Sequence, residues 1–93
     1  MKTVPGVPRD VVVLFDSFAH QLARAGFTRY SARAILHRIR WHHHVERGNR
    51  TFKCNNLWTP AMARAWLAEN PQYPGFFETR ASPGGAQRED DVA

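Results

Sequence analysis

Arg33, His37, Arg40, His44 and Arg47 recur at intervals of four, three, four and three residues. On one continuous helix that spacing places all five within about 80° of the wheel and along about 21 Å of its length. Groups of like sign at these intervals repel one another, so a helix that keeps them invites a polyanion to relieve the repulsion. Three of the five are Arg, whose planar fork grips phosphate at two points and stacks on bases or rings. The two imidazoles add charge to the stripe when they are protonated. Arg29, Arg50 and Lys53 extend the same basic run on either side. The chemistry to which this pattern points is a grip on phosphates.

Further along, Asn55, Asn56, Thr59 and Arg64 cluster around the expected start of another helix. Asn bonds adenine at two points, and unsatisfied amides at a helix N-terminus suit a phosphate oxygen. The same Asn-Asn pair equally suits a plain turn with local capping, because Asn accepts turn geometry and bonds its own backbone. Both readings stand at this level.

Other chemistries fare worse. His42, His43 and His44 are consecutive, so on a helix they point about 100° apart and do not converge on one ion. No two of the five histidines stand three or four residues apart, the spacing that shares a metal. Asp10, Asp16, Glu46, Glu69 and Glu78 form no carboxylate pair of the kind a metal-assisted nuclease uses. A glycine-rich phosphate loop and a nucleophile with an adjacent base are also missing from the pattern. The expectation is a non-enzymatic protein without cofactor or metal; a metal-dependent nuclease is the remote alternative. Trp66 reads as core, and Trp41, on the flank of the basic stripe, either stacks on a base or packs under the neighbouring strand, with packing favoured.

Charge and size agree with that emphasis. The chain has 93 residues, 43% of them hydrophobic, enough for one domain and one small core. Thirteen basic residues face eight acidic ones, giving +5, and eleven of the thirteen are Arg. From Arg24 to Lys53 eight basic residues stand against Glu46 alone, a local net of +7, whereas residues 81–93 run at −2. That footprint favours nucleic acid, duplex DNA ahead of RNA. Cys54 has no second cysteine with which to pair. No apolar run approaches the ~18 residues of a membrane span, and residues 1–8 lack the apolar stretch of a signal peptide. The expectation is a cytoplasmic protein without membrane contact; a homodimer would raise the modest affinity of so small a module.

The elements that must position these groups follow from periodicity and caps. A helix over 11–25 starts at Asp10 as N-cap, buries Leu14 or Phe15, Phe18 and Leu22, and stops at Gly26, after which Phe27 folds back. A second over 32–46 has Ser31 as N-cap, Gly48 as its stop and Ala32, Ile35, Leu36, Ile39 and His43 on its core face. Residues 50–55 alternate as a short strand. A third helix opens at Thr59-Pro60, buries Met62, Ala63, Trp66 and Leu67, and ends at Asn70-Pro71. Residues 76–80 read as a last strand antiparallel to the first. The expected fold is α+β, in the order α-α-β-α-β, with a two-stranded ribbon, over 10–80. Residues 1–9 read as a flexible lead-in and 81–93 as a disordered acidic tail.

Tyr30-Ser31-Ala32, Arg38-Ile39-Arg40-Trp41, Phe52-Lys53-Cys54-Asn55-Asn56, Ala63-Arg64 and Phe76-Phe77-Glu78-Thr79-Arg80 follow one another in an order that resembles a group of small, mostly uncharacterised proteins encoded by phages and prophages. The resemblance spans about residues 14–80. It implies a phage setting in a bacterial host, and with it either a DNA-binding accessory protein or an inhibitor of a host defence nuclease, anti-CRISPR or anti-restriction, that binds the nuclease or its ribonucleoprotein. The element order is also similar to a winged-helix or helix-turn-helix domain. It departs from that pattern in the dozen residues and strand that separate its second and third helices.

Overall fold

The computed structural model describes residues 1–78. Three helices are joined by turns: α1 over Arg9–Arg24, α2 over Ala32–Trp41, continued by a wider π-helical turn over His42–Glu46, and α3 over Trp58–Glu69. Among the described residues there is no strand, so the fold is all-α and neither the α+β class nor the winged-helix likeness holds. No helix there is long and apolar enough to cross a membrane.

Both expected strands fail for identifiable reasons. Phe52 and Cys54 are half-buried and Lys53 between them is exposed, so the alternation is real. The backbone of this segment nevertheless bonds locally: the Phe52 amide donates to the Asn49 carbonyl, and the Phe52 carbonyl accepts from the His44 ring. Phe76 and Phe77 are both fully buried, which a ribbon with one wet face does not allow, because neighbours in a strand point to opposite sides. The Phe76 carbonyl instead accepts the Tyr30 amide at 2.9 Å and ties this segment to the start of α2. Residues 79–80, like the expected tail at 81–93, lie outside the described residues.

The three helices converge on rings. Trp66 of α3 lies against Phe76 and Phe77, each with ring centroids at 5.3 Å, and Phe77 meets Phe15 of α1 at the same distance. Val11, Val12 and Ala19 of α1 and Ala32, Ile35, Leu36 and Ile39 of α2 complete the core. Of the expected α1 stripe, Phe15 is fully buried, while Phe18, Leu22 and the alternative Leu14 pack half-buried around the core. Val4 and Val7 are buried too, so residues expected as a loose lead-in contribute to the core.

Helix ends divide between confirmed and corrected caps. Ser31 accepts the Ala34 amide at 3.2 Å as the N-cap of α2. Gly26 and Gly48 take φ of +105° and +70° where α1 and the π turn stop, a conformation costly for other residues. Asp10 is not a cap: α1 starts earlier, after Pro8, and the Asp10 carboxylate turns to His43. Thr59 caps nothing either, because α3 begins at Trp58 without a side-chain cap. Phe27 does not fold back onto the core; half-exposed, it meets Tyr30 edge-on at 5.4 Å.

Candidate nucleic-acid interface

The core face of α2 is set by Ile35, Leu36 and Ile39, so its opposite side presents Arg33, His37, Arg40 and Trp41. Three members of the expected stripe therefore line up, from Arg33 to Arg40, over about 10.5 Å at the α-helical rise. The stripe does not continue straight to Arg47. From His42 the helix widens, with the Arg47 amide reaching back five residues to the His42 carbonyl at 2.9 Å. A wider turn advances each side chain through a smaller angle, so His44 and Arg47 leave the line of the α-helical part.

The three consecutive histidines explain what that turn accomplishes. His42 meets the Glu46 carboxylate at 2.6 Å. His43, buried as expected, stacks on Phe52 with centroids at 3.9 Å, and its Nε2 lies 3.0 Å from the Asp10 carboxylate, at ion-pair range but off the line of a hydrogen bond. His44 is bonded to the Phe52 carbonyl at 2.7 Å, so it is a brace for the following segment and not a free member of the stripe. Each imidazole points to a different partner, and no group of three or more His, Cys, Asp or Glu among the described residues is placed to hold a metal.

That brace lays residues 52–54 alongside α2. The Cys54 thiol donates to the Leu36 carbonyl at 3.5 Å, and burial pushes its pKa above the ordinary thiol value while the nearby Arg40 charge pulls it down. Lys53 is exposed between Phe52 and Cys54 in this segment, and Arg47 and Arg50 are exposed in the turn that leads into it. Among the described residues Arg33, Arg40, Arg47, Arg50, Lys53 and Arg64 face no carboxylate within ion-pair range. Arg33 is half-buried, with its Nε covered and unbonded.

The remaining expected residues scatter. Arg29 is drawn to Glu78 at 3.1 Å, an ion pair that stays largely exposed. Arg64 is exposed on α3, and no contact brings it to the α2 edge. Asn55 and Asn56 serve their own backbone: the Asn55 side chain accepts the Leu57 amide, and the two Asn carbonyls accept the amides of Trp58 and Thr59. Pro60 has no N–H and the amides of Trp58 and Thr59 are already bonded, so the first turn of α3 has few donors left for a phosphate there.

Trp41 and Leu57 stand out beside these residues. Trp41 is 50% exposed, not packed beneath the neighbouring segment, and Leu57 at the tip of the Asn turn is 76% exposed. Trp41 was legible as the residue opposite Ile35 and Ile39 on the wheel; Leu57 gave no periodic signal. No family model, curated protein or solved structure matches the chain.

Proposed function

We propose that this protein is a non-enzymatic nucleic-acid-binding module that holds phosphates along the α2 edge. Arg33, His37 and Arg40 form the first line of contact, and Lys53, Arg47 and Arg50 continue it on the adjoining segment. The observation that carries this reading is the contrast in pairing: Arg29 and Arg38 are matched by Glu78 and Glu46, whereas the cations of this edge have no carboxylate partner among the described residues. Unpaired Arg clustered on one surface costs self-repulsion that a polyanion relieves, and the energy gained comes largely from released counterions.

The test is fluorescence anisotropy with duplex DNA, single-stranded DNA and RNA on Arg40→Glu combined with Arg47→Glu. Both residues are exposed, so the helical circular-dichroism signal should stay unchanged while binding to all three polymers disappears. Binding that survives the double reversal contradicts the assignment.

A further inference from the structure

We infer that Trp41 is a stacking platform for an unpaired base, so that the polymer held along the α2 edge is single-stranded. The inference rests on the nucleic-acid reading above. Half of the indole is exposed on a helix whose other large apolar side chains are buried. An indole left in water forgoes much of the gain of burial and offers a flat ring for stacking.

The ring is also held. The Arg38 guanidinium lies 5.2 Å from the Trp41 ring centroid and 5.0 Å from that of Phe18, within cation–π range of both. Glu46 fixes the same guanidinium with contacts of 3.4 and 3.3 Å, and His42 in turn fixes Glu46. A flat apolar surface is thus presented in one orientation, one helical turn beyond His37 and next to Arg40. Phosphate contacts and a ring on one face are the pairing that single strands need, because every base has a face to stack and a flexible backbone reaches both. A duplex keeps its base faces inside the stack and has no use for the ring. The features that would favour a duplex groove are also missing: there is no ribbon among the described residues, and the start of α3 has its amides occupied.

DNA and RNA single strands share this chemistry, so the full-length protein is titrated with oligothymidylate and oligouridylate of about twelve nucleotides. A duplex and an abasic strand of equal length serve as references. Trp41→Ala should weaken binding to both base-bearing strands by roughly 5- to 150-fold, the range that removal of one stacked ring produces. Affinity for the duplex and the abasic strand should change less than about twofold, because Glu46 and Phe18 still hold Arg38 and the phosphate contacts remain. Trp41→Phe should keep most of the single-strand affinity, and Trp41→Leu should behave like Trp41→Ala. A preference for one of the two strands identifies the sugar. An equal loss on all four probes, or no loss on any, overturns the stacking assignment and leaves the phosphate grip standing. Wild-type protein that binds none of the four overturns the phosphate grip as well.

Discussion

At the seam between α1 and α3, the polar groups next to the core are matched inside the chain. Asp16 accepts the Trp66 indole N–H at 3.0 Å, and the His20 ring has an N–H to donate between two acceptors, the Asp16 carbonyl at 2.9 Å and the Asn70 side-chain oxygen at 3.0 Å. Asn70, itself buried, donates to the Trp66 carbonyl at 2.8 Å. At the α2 edge the opposite holds: Arg40, Arg47, Arg50 and Lys53 stand exposed with no acidic partner among the described residues. Matched groups specify a fold, because leaving one of them unmade is expensive. Unmatched cations contribute little to the fold and remain available to something outside it. The two regions therefore should answer mutation in different observables, stability at the seam and binding at the edge.

The largest stability effect should come from Trp66→Ala, which empties the centre of the aromatic cluster and costs about 3–5 kcal/mol. Small domains are stable by only about 5–15 kcal/mol, so urea titration should find the variant close to unfolded. Asp16→Ala comes next. It leaves the indole N–H without an acceptor and removes a carboxylate beside His20, a destabilisation of about 1–3 kcal/mol. Ser31→Ala should cost about 1 kcal/mol by removing the α2 cap. Arg40→Glu, by contrast, should stay within about 0.5 kcal/mol of wild type, as expected of an exposed side chain away from packing. A large destabilisation by Arg40→Glu would break the division between the two regions.

A pH series sharpens it further, because Arg38 on α2 is a matched cation beside unmatched ones. The His42 hydrogen bond and then the Arg38 contact hold the Glu46 carboxyl below its ordinary value of 4.5. A depressed carboxylate supplies stability that is present above the unfolded-state value and disappears as pH falls through the folded-state value. Thermal melts below pH 4.5 should accordingly show a decline that Glu46→Gln reduces. The smallest effect concerns Cys54: half-buried and with a raised pKa, its thiol should alkylate more slowly at pH 7–8 than a free cysteine does.

How far the sequence reached differs between the same two regions. Helix positions, the Ser31 cap, the Gly26 and Gly48 stops and the core faces of α2 and α3 were legible, because apolar spacing and caps act locally. The ribbon was not, because alternation around Phe52 has the same cause in a braced loop as in a strand, namely one side facing a neighbour. Of the candidate site, Arg33, His37 and Arg40 stand together as their spacing predicts. His44, Arg29 and Asn55 are drawn to Phe52, Glu78 and Leu57, contacts that depend on how distant or turning segments meet. The π turn that breaks the stripe was hidden for the same reason: the three histidines find partners in α1, in the loop and in their own turn, which wheel geometry does not contain.

On the proposed reading, a cation's pairing within the fold decides whether it takes part in binding. Salt titration tests it on single substitutions. The logarithm of affinity for single-stranded DNA is plotted against the logarithm of salt concentration for wild type, Arg40→Ala and Arg29→Ala. Removing one cation that neutralises a phosphate should lower the slope by about 0.7 on a single strand. Arg40→Ala is predicted to lower it by that amount, and Arg29→Ala, whose guanidinium already faces Glu78, to leave it unchanged. Equal slopes for wild type and Arg40→Ala, or an equal drop for both variants, would contradict the account.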